Sequence, residues 1–306
     1  MVPVRRQGLA GGGEAVADVG VAVAGAPARA VDGPPPELVF HRALHPVQML
    51  RELWARRELV AVLTERDLRA RYKQTRVGFA WALLTPFLLM VVFTVFFKRV
   101  ADVRTGSVPY PLFSYVGLLA WTFFSGALSK GAVSITQNLT LLNKVYCPRE
   151  VFPLSSVATA AVDTSIAVSV LGILFVVYRF PPAATSVWVP VLMLVQLAFT
   201  LGVTLLLAAL VVYFRDIRQV LPMLLQFGLF ATPVGYGLEE MPRKWWGVYS
   251  ALNPLVPVID GYRRTVLLGE PPKLDLLAIG ATSSAILLVV GYTVFKRLEA
   301  GFADVA

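Results

Sequence analysis

The stretch at residues 66–86, RDLRARYKQTRVGFAWALLTP, decides how the rest of the chain is read. Arg66, Arg69, Arg71, Lys73 and Arg76 crowd its first eleven positions against a single acid, Asp67. The charge then stops, and the twenty-one residues from Val77 to Phe97 carry none. An α-helix needs about 20 apolar residues to cross roughly 30 Å of hydrocarbon. Basic side chains ahead of such a run keep their charge in the headgroups while their stems lie on apolar surface. The stretch therefore reads as a cationic anchor feeding a first membrane span, with Gly78 allowing close packing and Trp81 about one turn inside the boundary.

Composition agrees. The 306 residues are 57% hydrophobic and only 15% charged, with a mean hydropathy of +0.67, whereas soluble chains carry roughly 25% charge. The net charge of +9 sits beside apolar runs and not in a soluble basic domain, which argues against nucleic acid as a partner. One cysteine, Cys147, rules out an intramolecular disulfide and a multi-cysteine metal cluster. The two histidines, His41 and His45, precede the membrane part. No metal site, catalytic residue or cofactor is expected in this chain.

Residues 1–45 read as a disordered tail, with GGG at 11–13 and PPP at 34–36 and no apolar period. Arg5-Arg6 followed by APARA at 26–30 imitates a secretion signal, but Glu14 and Asp18 interrupt its core. From Pro46 to about Arg71 the pattern is an amphipathic helix lying in the membrane interface or packed on protein. Six spans are expected, at 77–97, 112–129, 154–178, 187–213, 219–236 and 276–295. The fifth is short and carries Pro222 and Pro233. Residues 237–275 are too apolar for a free loop and too charged to cross, so short sheltered or re-entrant helices are expected there. The fold class is all-α and polytopic, with an interface helix at the N-terminal side and short gate helices before the last span. Lys and Arg number eight over 51–76, three over 130–150, two over 214–218 and two after the last span. The opposite connections hold three, one and five, which places both termini in the cytoplasm by the positive-inside bias.

Charge within the spans is the usual pointer to function. Asp163 is the acid of a confident span, and Thr159, Thr164 and Ser165 are its expected hydrogen-bond partners; a structural and a transport role both stay open. There is no GxxxxGK[ST] phosphate loop and no Asp-x-Asp pair for glycosyl transfer. Aromatic residues suit either plain packing or a path for sugars: Phe93 and Phe97 in the first span, Trp121 and Phe124 in the second, Phe227, Phe230 and Tyr236 in the fifth.

Three segments together resemble the permeases of polysaccharide and polyol-phosphate ABC exporters. The opening stretch is similar to that family's entrance to its first span, through Arg66-Asp67-Leu68, Arg71-Tyr72-Lys73, Gly78-Phe79 and Trp81. Val77 stands where the family has Leu, and Thr85 where it has Asn before Pro86. NLTLLNKVYCPREVFPLS at 138–155 resembles the connection between spans two and three, through Asn143-Lys144-Val145, Pro148-Arg149-Glu150 and Pro153. YFRDIRQVLPMLLQFGLFATPVGY at 213–236 resembles the second cytoplasmic turn and kinked fifth span, and Asn253-Pro254 with Arg263 an outer gate. The resemblance covers about residues 46–298; 1–45 and the short cytoplasmic end 299–306 lie outside it.

It implies a homodimer paired with two copies of a separate ABC ATPase that binds the ATP and Mg, exporting a polyprenyl-diphosphate-linked polysaccharide such as an O-antigen, teichoic acid or galactan through the plasma (inner) membrane. It implies ATPase coupling through Asn143, Lys144, Arg149, Glu150, Arg215 and Asp216. The lipid diphosphate would enter at Arg71, Tyr72, Lys73 and Arg76. The glycan would pass Phe93, Phe97, Trp121, Phe124, Phe227, Phe230 and Tyr236, and leave by the gate of Asn253, Pro254 and Arg263. The competing readings are an ABC exporter of a drug or lipid, and a freestanding membrane enzyme or channel.

Overall fold

The computed structural model describes residues 57–73, 80–100, 105–142, 148–299 and 301–302. The tail 1–45, Arg76, Asn143 and Lys144 lie outside the described residues. Among those described, every regular element is helical: α1 (Arg57–Lys73), α2 (Ala80–Phe93, prolonged by a π turn over Thr94–Val100), α3 (Tyr110–Gly131), α4 (Ser134–Gln137), α5 (Leu139–Leu142), α6 (Val151–Val177), α7 (Val189–Tyr213), α8 (Ile217–Ala231), α9 (Trp246–Leu252), α10 (Leu255–Arg263) and α11 (Leu274–Glu299). Five helices are long and apolar enough to cross a membrane, built on α2, α3, α6, α7 and α11. The chain is a multi-pass membrane protein.

The sixth expected span is realised differently. Helix α8 has 15 residues, about 22 Å at 1.5 Å per residue, and stops at Thr232, whose φ of −92° and ψ of 142° are extended. Pro233 is the cause, since a proline disfavours helical backbone in the residue before it and supplies no N–H of its own. Over 237–275 the structure has the expected short helices: two 3-10 turns, α9, α10 and a π turn over Arg264–Leu268.

Helix α3 is the centre of the bundle. Tyr115, Leu118, Trp121 and Phe124 pack there with Phe199 of α7 and with Leu255 and Ile259 of α10. Buried polar groups join helices across this core: the Tyr115 hydroxyl donates to the Ala167 carbonyl at 2.9 Å, the Gln196 amide to Ala120 O at 2.8 Å, and the Tyr262 hydroxyl to Gln196 Oε1 at 2.9 Å. Between α7 and α11 the backbones nearly touch, because a Cβ on Gly202 would lie 2.6 Å from the Leu288 nitrogen. Small residues at a crossing take the place that large apolar ones hold in water-soluble cores, since helix association in lipid rests on close packing. At one end of the bundle, Leu63 of α1 packs with Ile135, Val151, Phe152, Leu205, Phe295 and Phe302. This "basic end" holds α1, residues 130–142 and 148–150, the turn after α7 and the end of α11. Residues 105–110, 179–188 and 232–273 gather at the opposite end.

There, the non-helical backbone after α8 needs partners that no helix supplies. Arg263, only 4% exposed, provides them. Its Nη1 donates to Pro233 O at 2.7 Å and Tyr236 O at 2.9 Å, its Nη2 to Val234 O at 2.5 Å and its Nε to Phe113 O at 3.1 Å. The guanidinium also lies 3.6 Å from the Phe113 ring centroid. Tyr110 adds a bond to Gly235 O at 2.7 Å, Asn253 one to Thr232 Oγ1 at 2.8 Å, and Tyr249 one to Ala231 O.

Two expectations follow from this packing. Gly202→Leu loses about 1–3 kcal/mol through overpacking, read as a lower melting temperature in detergent, whereas Gly172→Leu, with nothing within 4 Å of its Cβ, melts as wild type. Arg263→Met keeps bulk but no donor and loses at least about 3 kcal/mol, the cost of several stranded carbonyls. Arg263→Lys recovers only part of it, because one ammonium cannot fork between two sides of the segment.

Candidate functional site

At the basic end the sequence supplies a polar stripe within an apolar helix. Ser155, Thr159 and Asp163 recur at every fourth position of α6 and therefore share one face. That face meets α1 and the end of α3. Asp163 does not turn to its own hydroxyl neighbours: Thr164 donates to Ala160 O at 2.8 Å and Ser165 to Ala161 O at 2.8 Å. Its carboxylate is held instead by Arg71 of α1, Nη1 to Oδ2 at 2.5 Å, and by Lys130 of α3, Nζ to the same oxygen at 3.2 Å. Three elements distant in sequence thus converge on one carboxylate, whose side chain is 20% exposed.

Two cavities flank this cluster and share Arg71 and Lys130 as walls. One, of about 340 Å³, is lined also by Arg66, Asn138, Ser155 and Thr159. The other, of about 230 Å³, lies toward Trp81, Thr85 and Pro86 and is walled by Asp163. Of the four residues expected at a diphosphate entrance, Arg71 is in this cluster, Tyr72 and Lys73 close α1, and Arg76 is outside the described residues. Lys130 was not singled out by sequence; its position one residue before the end of an apolar helix, level with a polar stripe three helices later in the chain, carries no local signal.

The residues expected to couple to an ATPase divide into two kinds. Glu150 is 1% exposed and paired with Lys296 at 2.9 Å, which also reaches Glu299 at 2.8 Å. Arg149 donates to the Glu299 carbonyl and lies 5.6 Å from the Phe302 ring centroid, and Tyr213 donates to Leu298 O at 2.9 Å. The turn before α6 is therefore clasped to the end of α11. Arg215 and Asp216, by contrast, are exposed in the turn between α7 and α8, beside an exposed Phe214.

The aromatic residues also divide. Phe93, Trp121 and Phe124 are buried; Trp121 sits over Gly228, and Phe124 stacks on Phe199 with centroids 5.0 Å apart and planes 6° from parallel. Phe97 and Phe230 adjoin Phe93 at 5.1 and 6.3 Å, while Tyr236 donates to Phe230 O at 3.2 Å. Phe227 is 63%, Phe230 55% and Phe96 62% exposed. So Phe227 and Phe230 lie on the surface of the subunit and Trp121 and Phe124 in its core. At the opposite end, Asn253, Pro254 and Arg263 come together around the 232–236 segment, Asn253 Oδ1 accepting from the Leu255 N–H at 3.2 Å. Beyond them Lys273 bridges Glu239 at 3.1 Å and Asp260 at 3.3 Å and faces the Trp246 ring at 4.3 Å. Burial alone would raise the Glu239 carboxyl; its backbone hydrogen bond and the Lys273 ammonium outweigh that and hold it below the usual range.

An apolar bundle with one broken helix clamped at one end, exposed charged turns at the other and no catalytic constellation among the described residues has the design of a translocating subunit. Residues 58–267 match the ABC-2 type transporter family. The O-antigen export system permease protein RfbA of Myxococcus xanthus is 34% identical over 262 residues, covering 84% of this chain and 99% of that protein. Its counterpart of the same name from Klebsiella pneumoniae is 28% identical over 81% of this chain and 95% of its own length. The polysialic acid transport protein KpsM of Escherichia coli is 25% identical over 78% of this chain and 93% of its own. The family match spans α1 to the π turn after α10, taking in both the Asp163 cluster and the Arg263 clamp, and the chain belongs to the ABC-2 type transporter family.

Proposed function

We propose that this chain is the permease subunit of an ATP-driven exporter that moves a polyprenyl-diphosphate-linked polysaccharide from the cytoplasm across the inner membrane. The observation that carries this reading is the likeness, over nearly the whole length of that protein, to an O-antigen export permease. The structure supports it through what each end of the bundle offers. The exposed Arg215–Asp216 turn is a surface for a separate ATPase that binds the ATP and Mg. The clasp of Arg149 and Glu150 holds the start of α6 against the end of α11. A push there moves α6 and α11 together.

The functional unit is a homodimer with two ATPase subunits. Phe96, Phe227 and Phe230 are exposed with Met223 and Leu224, and the α8 surface also carries the amides Gln219 and Gln226. A mixed aromatic and amide face suits a second copy and a sugar chain between the copies better than lipid alone. The carrier's diphosphate enters at Arg71, with Tyr72, Lys73 and Arg76 nearby, where charge-assisted bonds to phosphate are strongest. The glycan leaves past the segment that Asn253, Pro254 and Arg263 clamp.

Replacing Arg215 and Asp216 together by alanine in the native host is expected to lower surface polysaccharide about tenfold, the loss of a typical coupling free energy, while full-length lipid-linked glycan accumulates inside and the permease stays in the membrane at its normal level. Unchanged surface polysaccharide with unchanged intracellular lipid-linked glycan sinks the glycan reading and brings the export of a drug or lipid to the front.

A further inference from the structure

Asp163 poses a physical problem. A carboxylate 13 residues into a span-length apolar helix is costly to keep charged, and among the described residues two cations, Arg71 and Lys130, are drawn onto one of its oxygens. A plain structural tether needs one such partner. Two cations on one acid, with Arg66 lining the same cavity, leave the region cation-rich: Arg66, Arg71 and Lys130 stand against Asp67 and Asp163, three against two. Arg66 reaches Asp67 at 2.8 Å and Asn138 at 3.1 Å. The nearby hydroxyls do not supply donors to a guest, since Ser155 donates to Phe152 O and Thr159 to Ser155 O, each at 2.8 Å. Recognition in these cavities therefore rests on the cations.

We propose that the paired cavities at this junction bind a phosphate headgroup, and that Asp163 is the resident counter-anion of that site. Without a guest, Asp163 occupies Arg71 and Lys130; a phosphate entering from the Arg66 side takes over both, and the carboxylate lets go. The inference deepens the proposed function and rests on it, because the headgroup it assigns is that of the lipid carrier. It adds Lys130 and Asp163 to the entrance and gives the acid a role. An internal anion weakens the apparent affinity for the external one, as any competing occupied state does, so a carrier is held firmly enough to enter and loosely enough to leave. Two cavities that share Arg71 and Lys130 as walls, with Asp163 on the wall of the second, fit this exchange, since a headgroup passing from one to the other must pass the same pair of cations.

The test uses the full chain in phosphatidylcholine nanodiscs with farnesyl diphosphate as probe and farnesol as the uncharged control. Asp163→Asn is expected to bind farnesyl diphosphate about tenfold more tightly than wild type, within the usual range of coupling between two ligands of one site. Lys130→Gln is expected to bind it about tenfold more weakly, and farnesol binding does not change in either. A tether role would leave the diphosphate affinity unmoved or lower it in Asp163→Asn, and that result overturns the proposal. If Asp163→Asn does not fold, Lys130→Gln decides: a variant that melts as wild type and keeps full affinity also overturns it. Competition by inorganic pyrophosphate keeps the site and assigns recognition to the headgroup alone. Competition by phosphatidylglycerol in the disc keeps the site and assigns its occupant to bilayer lipid. The surface-polysaccharide measurement with Arg215 and Asp216 reports on export separately, so failure of that reading and failure of this site are told apart.

Discussion

One guanidinium makes this architecture possible. In hydrocarbon an unpaired carbonyl has no water to turn to, so a helix that stops inside the membrane is unstable unless something else satisfies its last backbone groups. Arg263 does this for three carbonyls after α8 and for Phe113 on α3. Because its bonds reach both α3 and the broken segment, it also fixes where the segment lies. Gly117 on α3 reflects the same demand: a Cβ there would be 2.7 Å from Arg263 Nη2. The short helices α9 and α10 bring Asn253, Tyr249 and Arg263 to that backbone.

The buried cations of the bundle are satisfied in two different ways. At the broken end the cation is saturated by neutral carbonyls and an aromatic face, an arrangement without a mobile partner. At the basic end Arg71 and Lys130 pair with Asp163, and Lys296 with Glu150 and Glu299. Full charges can be exchanged for others of like sign; carbonyl bonds of a buried backbone cannot.

Much of the fold was legible in the sequence because hydropathy is a local property. Uninterrupted runs such as 77–97 and 276–295 need no knowledge of neighbours to read as spans, and the mixed composition of 237–275 already demanded short sheltered helices. Pro233 announced a defect, but its consequence, a helix of 15 residues followed by extended backbone, depends on Arg263 thirty residues later. The site was less legible for the same reason. Asp163 stood out as an intramembrane acid, yet its partners come from 92 and 33 residues away, and the nearby hydroxyls that seemed natural partners spend their protons on their own helix. Glu150 reads as a surface residue in a charged turn and is buried because Lys296 covers it. The aromatic residues of α2, α3 and α8 look alike in sequence; only packing separates Phe124, stacked inside, from Phe227, turned outward.

The clasp between Glu150 and Lys296 has a consequence for biogenesis. The two residues are 146 positions apart, and a ribosome adding about 5–20 residues per second needs roughly 7–30 s to cover that distance. During that interval α6 has left the ribosome while the acid at its start has no lysine to cover it. The turn must then stay at the water-facing border, where an ionised carboxylate is tolerated, until α11 emerges. Closure of the clasp is thus a checkpoint on synthesis: this end of the bundle is assembled only by a chain whose helix α11 is already in place.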